Sequence, residues 1–203
     1  MSQGASQLKT GGNMPQIRSQ ALVALGSNMQ SDVGSPHQML KAALEMLERA
    51  GAVIRARSRF YATPAVPIGN GPDFVNGAAL LETTWAPQEV ITHLHAVEAR
   101  LGRRRAERWG ARVIDLDLLA MDHLILPDVS TVRGWMGLTP DEQQVKAPGQ
   151  LILPHPRLHQ RGFVLVPLSD IAADWIHPIT RRTVAQMCAD LPAQDRASIR
   201  PLD

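Results

Sequence analysis

Apolar and polar positions along residues 17–190 follow two spacings, one typical of β-strands and one typical of α-helices. Apolar runs bounded by glycine, serine or proline predict strands at residues 17–25, 52–61, 74–82 and 113–119. Apolar residues three and four positions apart predict helices at residues 36–50, 87–101, 161–173 and 183–188. The proline- and glycine-rich residues 63–72 predict a long loop.

The order of these elements predicts the fold class. The order β-α-β-β-α-β is typical of an α+β, ferredoxin-like sheet with both helices on one face, here followed by a C-terminal extension. We expect a single domain at residues 17–190, with an insertion at residues 127–150. Residues 1–16 are polar and contain glycine, which predicts a disordered N-terminal tail rather than a signal peptide. Residues 191–203 are expected to form a C-terminal tail.

Composition narrows the functional class. The 203 residues are 44% hydrophobic and 20% charged, as in ordinary globular chains, and the net charge is only +2. The basic character is therefore local. The single cysteine, Cys188, cannot form an internal disulfide, and no apolar run is long enough for a transmembrane helix. We expect a cytoplasmic, monomeric enzyme without a membrane or nucleic-acid partner.

Residues 102–117 combine a basic loop with an acidic pair. Asp115 and Asp117 lie two positions apart in the predicted strand 113–119, so they share one face with Cα atoms about 6.5–7 Å apart, while the apolar residues between them face the core. Such a carboxylate pair favours Mg²⁺, which completes its shell with water and phosphate oxygens. The arginines of the loop can bind a polyphosphate: Arg103, Arg104, Arg105, Arg108 and Arg112. The segment therefore predicts a metal-dependent nucleoside triphosphate site.

The same segment resembles the signature of the 6-hydroxymethyl-7,8-dihydropterin pyrophosphokinase family of folate biosynthesis. Its matching residues are Gly102, Arg103, Arg105, Arg108, Trp109, Gly110, Arg112, Asp115, Leu116 and Asp117, with Ala111 where proline is usual. Other family motifs follow in the expected order: residues 24–28 (ALGSN), 61–64 (YATP), 72–76 (PDFVN), 153–157 (LPHPR) and 161–165 (RGFVL). The resemblance covers residues 17–190 apart from the insertion.

The resemblance implies a reaction and the residues that perform it. The family transfers the pyrophosphoryl group of ATP to the hydroxymethyl group of the dihydropterin and releases AMP, with two Mg²⁺ ions bound to Asp115 and Asp117. Catalytic roles are implied for Arg103, Arg112, Asp115 and Asp117. Contacts to ATP are implied for Glu98, Arg105, Arg108, Trp109, Ile114, His155 and Arg161. For Glu98 the resemblance leaves two readings, a place near the nucleotide or an ion pair with an arginine.

A pterin site is implied by the same motifs. Phe74 and Phe163 match the aromatic positions that enclose the pterin ring, and such stacking contributes roughly 0.5–1.5 kcal/mol per ring beyond burial. Asn76 lies on the same strand face as Phe74 and can offer a carbonyl and an amide to the pterin edge. Backbone contacts to that edge are implied for the loop residues Thr63, Pro64 and Val66.

Some alternatives stay open. A ferredoxin-like nucleic-acid module would carry aromatic residues on its central strands, whereas only 4% of this chain is aromatic and that strand carries aspartates. A catalytically silent relative is disfavoured by the intact acidic and basic motifs. The insertion, a predicted folded loop with a helical turn, is either a surface elaboration or a lid over the nucleotide. The spacing of the remaining histidines predicts no zinc site: His93, His95, His123, His159 and His177.

Overall fold

An antiparallel sheet and helices on both of its faces form the structure, a computed structural model that describes residues 17–65, 71–103 and 113–202. The strands are β1 (Ser19–Ser27), β2 (Val53–Arg57), β3 (Phe60–Thr63), β4 (Phe74–Thr83), β5 (Asp115–Met121) and β6 (Arg200–Leu202). The helices are α1 (Pro36–Arg49), α2 (Pro87–Arg100), α3 (Val129–Met136), α4 (Pro140–Val145), α5 (Gly162–Ala172), α6 (Val184–Ala189) and α7 (Ala193–Ala197). The predicted α+β class is confirmed.

Strand order in the sheet is β5-β1-β4-β3-β6, and β2 pairs with β4 beside β3. The predicted strand 52–61 is wrong in one respect, because it is divided into β2 and β3 at Ser58. The Ser58 hydroxyl accepts a hydrogen bond from the Ala78 N–H at 2.9 Å and donates one to the Arg59 carbonyl at 2.6 Å. The Ser58 N–H still donates to the Ala78 carbonyl at 2.9 Å, so the hydroxyl replaces only the backbone acceptor of the Ala78 N–H in the pairing with β4.

The sheet separates two hydrophobic clusters. Ala21, Val23 and Leu25 of β1 are buried in one cluster, together with apolar side chains of α1 and α2. Leu22 of the same strand belongs to the other cluster, with side chains of α5 and α6. Because successive strand residues face opposite sides, this alternation places the two clusters on opposite faces of the sheet.

Helix α1 has the start and end that its sequence predicts. The Ser35 side chain caps its first turn, the Ser35 N–H donates to Gln38 Oε1 at 2.8 Å, and Pro36 occupies the first helical position. Gly51 follows the helix with φ of 112°, a conformation that favours glycine. Five apolar side chains on one face are buried: Met39, Leu40, Ala43, Leu44 and Leu47.

The segment 191–203, predicted as a tail, instead continues the folded structure as far as Leu202. It contains α7 and β6, and β6 pairs with β3 through Phe60–Leu202 and Ala62–Arg200. Ile199 packs close to Gly162 at the start of α5. The prediction was wrong because a three-residue strand is too short to show a pattern, while the edge of β3 offers unpaired backbone groups that such a strand satisfies.

The insertion folds into two short helices rather than one helical turn. The side chains of Asp128 and Thr139 cap α3 and α4. Leu126 and Leu153, just outside the insertion, exchange two backbone hydrogen bonds of 2.9 and 3.0 Å. This isolated bridge therefore closes the base of the insertion.

Helix α5 is tied to β3 through a polar network. The Tyr61 hydroxyl donates to Asp170 Oδ2 at 2.9 Å, and the Arg59 guanidinium donates to Asp170 Oδ1 at 2.8 Å. Burial and the neighbouring carboxylate raise the pKa of Tyr61 to about 12, so this phenol keeps its proton. Within the described ranges, no helix is long and apolar enough to cross a membrane.

Candidate active site

The two aspartates lie on one face of β5, at the side of the sheet that also packs against α5. Asp115 is in register with Gly26 of β1, and Asp117 with Ala24. Their side chains are 23% and 41% exposed. Leu116 between them points to the other face of the sheet, where it is buried in the cluster with α1 and α2. No group of three or more His, Cys, Asp or Glu residues suited to a metal occurs in the described part of the chain. Two accessible carboxylates nevertheless fit Mg²⁺, which takes one or two protein ligands beside water and phosphate.

Arg103 links the acidic pair to helix α2. Its guanidinium lies 2.6 Å from Asp115 Oδ1 and also forms an ion pair with Glu98 Oε1. Glu98 is only 2% exposed, and the same carboxylate oxygen accepts the Leu116 N–H at 2.8 Å. Burial raises the pKa of Glu98, while the Leu116 N–H and the Arg103 charge oppose that shift. Of the two readings for Glu98, the contacts favour the ion pair with an arginine.

His155 and Arg161 lie beside the acidic pair. Arg161 Nη1 is 4.0 Å from Asp117 Oδ2, and its guanidinium lies 5.4 Å from the centre of the Phe163 ring. The His155 N–H donates to the Leu119 carbonyl of β5 at 2.7 Å. Burial, followed by the charges of Arg161 and Arg157, lowers the pKa of His155 to about 3. The imidazole is therefore neutral at physiological pH.

The tautomer of His155 follows from its neighbours. Its Nδ1 accepts a hydrogen bond from the Arg157 N–H at 3.1 Å, so Nδ1 carries no proton. The proton of the neutral ring must then be on Nε2. This nitrogen can act as a neutral hydrogen-bond donor to an oxygen.

A second group of predicted residues meets beside Gly26. Asn76 is in register with Gly26, and its amide donates to Thr63 Oγ1 at 2.6 Å. A methyl carbon placed on Gly26 would lie only 2.8 Å from Asn76 Oδ1 and 3.9 Å from Phe74 Cδ1. Glycine is thus required here by the close approach of the Asn76 side chain. The half-buried Phe74 and the buried Asn76 lie on the face that carries Asp115.

The distance between the two groups follows from the register. Asp115, Gly26 and Asn76 occupy neighbouring positions on β5, β1 and β4. Strands are about 4.8 Å apart, so the backbones of Asp115 and Asn76 are separated by roughly 10 Å. A ligand of the size of a bicyclic ring can lie between them.

The remaining predicted residues differ in how far they are buried and in whether the structure describes them. Ile114 has no exposed surface, so its side chain belongs to the core and only its backbone could contact a nucleotide. Pro64 follows Thr63 and is half-buried, and Phe163 lies in the first turn of α5 beside the second cluster. Six predicted residues lie outside the described ranges: Val66, Arg104, Arg105, Arg108, Trp109 and Arg112.

Two contributors to the site are missing from the sequence-based prediction. Gly26 belongs to the motif at residues 24–28, but its role depends on a neighbouring strand and has no local signal. Arg157 belongs to the motif at residues 153–157, and its N–H sets the His155 tautomer. The proline before His155 and the proline after it indicated a fixed turn, which was the available signal.

Comparison with known proteins identifies the family of the chain. Residues 22–173 match the family model described as 7,8-dihydro-6-hydroxymethylpterin-pyrophosphokinase. A 2-amino-4-hydroxy-6-hydroxymethyldihydropteridine pyrophosphokinase of Synechocystis is 33% identical over 176 residues, which cover 86% of this chain and 77% of that protein. The Haemophilus influenzae enzyme of the same name is 32% identical over 158 residues, which cover 78% of this chain and 84% of that protein.

Solved structures support the fold independently. The wild-type HPPK-DHPS of Plasmodium falciparum aligns with a TM-score of 0.60 at 14% identity, over 85% of this chain and 44% of that one. The chain thus spans less than half the length of this structural relative, and a likeness at this identity concerns the fold alone. Taken with the family match, the chain belongs to the 7,8-dihydro-6-hydroxymethylpterin-pyrophosphokinase family.

Proposed function

We propose that this chain transfers the pyrophosphoryl group of ATP to the hydroxymethyl group of 6-hydroxymethyl-7,8-dihydropterin and releases AMP, as a step of folate biosynthesis. Membership of the family supports the reaction. The structural observation that carries it is the shared sheet face, on which β1 alone separates the acidic pair of β5 from Asn76 of β4. A phosphoryl donor and a pterin acceptor can therefore meet over β1.

Asp115 and Asp117 are proposed to hold two Mg²⁺ ions together with ATP. When bound, these ions would neutralise the charge of the phosphates and of the attacking and leaving oxygens. The aspartates contribute two carboxylates that are accessible on one face, and Arg103 orients Asp115. Glu98 in turn fixes Arg103, so the position of Asp115 is set before any ligand binds.

The nucleotide contacts are proposed for residues around this pair. His155 would donate its Nε2–H to a phosphate oxygen, and Arg161, next to Asp117, would pair with another. The loop arginines are proposed to close over the polyphosphate, with Trp109 as an anchor: Arg105, Arg108 and Arg112. Because the proton donor and the cations stay in fixed protonation states near neutral pH, catalysis would rest on positioning and charge stabilisation.

The pterin is proposed to lie between Phe74 and Phe163, with its polar edge on Asn76. One amide hydrogen of Asn76 is donated to Thr63 Oγ1. This bond fixes the amide and leaves its second N–H and its carbonyl for the ligand. Backbone groups of Thr63, Pro64 and Val66 would complete the edge. In this position the acceptor hydroxyl faces the acidic pair across Gly26.

We also infer the organisation of the chain. The strand order β5-β1-β4-β2, with α1 and α2 sharing a cluster, supports the ferredoxin-like arrangement with both helices on one face. We propose that residues 17–190 form the catalytic domain, with the insertion 127–150 outside its active site. We also propose a monomer located in the cytoplasm; the single cysteine fits the reducing compartment.

Product analysis tests the reaction. With ATP, Mg²⁺ and 6-hydroxymethyl-7,8-dihydropterin, we expect AMP and a pyrophosphorylated pterin in equal amounts. Asp115→Asn and Asp117→Asn should each lower kcat at least 100-fold with an unchanged circular dichroism spectrum, whereas Asp174→Asn, at an exposed position, should not. Accumulation of ADP with a monophosphorylated pterin would contradict the proposal, as would full activity in EDTA.

A further inference from the structure

Arg157 lies between the insertion and the nucleotide side of the site. Its guanidinium Nη2 donates a hydrogen bond of 2.6 Å to the carbonyl oxygen of Gln143 in α4. Its backbone N–H donates to Nδ1 of His155 at 3.1 Å. One residue therefore contacts both the inserted helix and the imidazole.

The acceptor on α4 is suited to a cation. Gln143 is in the last turn of α4, where carbonyl oxygens lack intrahelical partners and carry the partial negative charge of the helix end. The helix has its own support, because Thr139 and Glu142 form a capping box and Glu142 pairs with Lys146 at 2.7 Å. The Gln143 carbonyl thus belongs to a formed element and is not part of an irregular loop.

The turn that carries His155 is also held by backbone hydrogen bonds. The His155 N–H is bonded to the Leu119 carbonyl of β5, two residues beyond Asp117. Leu153 is bonded to Leu126 on the far side of the insertion. The turn at residues 153–157 is thus held by Leu126 at its start, by β5 at His155 and by α4 at its end.

We propose that the insertion buttresses the nucleotide site through Arg157, a positioning residue that clamps the His155 turn to α4 and so holds the imidazole Nε2–H toward the ATP phosphates. The inference rests on the proposed function, since ATP is taken as the ligand of His155. It also replaces the two earlier readings of the insertion, because a buttress neither covers the nucleotide nor stands apart from it.

Four proteins test the coupling: the wild type, Arg157→Ala, a variant with residues 128–149 replaced by a short Gly-Ser linker, and the combination of both. Arg157→Lys serves as the conservative variant, and Arg133→Ala, at an exposed position of α3, as the matched control. The measurements are the Kd of a non-hydrolysable ATP analogue by calorimetry, kcat, and the ¹⁵N shifts of the His155 imidazole.

We expect Arg157→Ala and the linker variant each to raise the Kd of the ATP analogue about tenfold, with kcat within about twofold of wild type. The combined variant should be no worse than either alone, because both changes remove the same clamp. Arg157→Lys should recover part of the affinity. The ¹⁵N shifts should show one tautomer, protonated on Nε2, in the wild type and in Arg133→Ala, and mixed tautomers in the two clamp variants.

The contrary results are equally specific. Effects that multiply in the combined variant would overturn the proposal, because Arg157 would then act on the nucleotide directly. A linker variant with unchanged affinity and tautomer would overturn it as well, and a hundredfold fall in kcat would identify the insertion as a lid. The affinity and the tautomer are measured without turnover. A wild type that releases no AMP would therefore refute the proposed function while leaving this test readable.

Discussion

Replacement of Glu98 should separate its charge from its shape. Glu98→Ala removes the partner of Arg103 and the acceptor of the Leu116 N–H, both in a region where the carboxylate is only 2% exposed. Glu98→Gln keeps the shape and an oxygen that can accept the Leu116 N–H but loses the charge. Glu48→Ala, on the exposed face of α1, is the control.

The magnitudes follow from these contacts. Breaking a buried ion pair by removing one partner costs about 3–5 kcal/mol, and an unsatisfied buried N–H about 1–3 kcal/mol. Arg103 keeps its second partner, Asp115, so we expect Glu98→Ala to lower the free energy of unfolding by about 4 kcal/mol. Glu98→Gln should lower it by about 1 kcal/mol, because the neutral amide also avoids the desolvation that raises the pKa of Glu98.

Urea unfolding followed by tryptophan fluorescence and circular dichroism measures both values, with Glu48→Ala expected within about 0.5 kcal/mol of wild type. A second readout is the Mg²⁺ concentration for half-maximal activity. Without the Glu98 charge, the Arg103 guanidinium faces Asp115 alone and repels a metal there, so Glu98→Gln should need several-fold more Mg²⁺. Equal losses in Glu98→Ala and Glu98→Gln, or an unchanged Mg²⁺ requirement, would refute the role assigned to the ion pair.

Three further outcomes are expected. Gly26→Ala should raise the Kd for the pterin at least tenfold, since its methyl group displaces Asn76, whereas Gly149→Ala, with no atom within 4 Å, should not. Phe163→Ala should weaken binding of the pterin but not of an ATP analogue in separate calorimetric titrations; the reverse pattern would place the ring in the nucleotide site. His177 is fully buried, and burial lowers its pKa to about 4, so the neutral ring contributes stability that is present above pH 6.5 and lost as the pH falls toward 4. In urea titrations, His177→Gln should therefore reduce the pH dependence of unfolding across that window by up to about 3 kcal/mol, and an identical dependence would contradict it.

Local pattern predicted those features that depend on neighbours in the chain. The period of two along residues 115–118 placed both aspartates on one face because alternation is a property of a single strand. The same pattern could not show that Asp115 lies beside Gly26 and Gly26 beside Asn76, because register is set by contacts between distant segments. The family resemblance indicated which residues form the candidate site, and the structure showed how far apart they lie.

Features that depend on contacts between distant segments could not be predicted from local sequence. The division at Ser58 depends on a hydroxyl that replaces a backbone partner of β4, and nothing in residues 52–61 marks that exchange. The contact between Arg157 and Gln143 joins residues 14 positions apart through a backbone carbonyl, which has no residue-type signal. Ile114 was assigned to ATP through a motif, but its side chain is required by the core.

The network of Asp170 has a mechanical consequence. Phe163 lies in the first turn of α5, and two turns later Asp170 of the same helix binds Tyr61 of β3 and Arg59, which directly precedes that strand. Helix α5 therefore joins Phe163 to β3, the two sides of the proposed pterin pocket, and these two sides should move as a single body. A substrate-driven closure cannot come from these two sides approaching each other, so we expect it to come from the segments that connect them to the rest of the sheet.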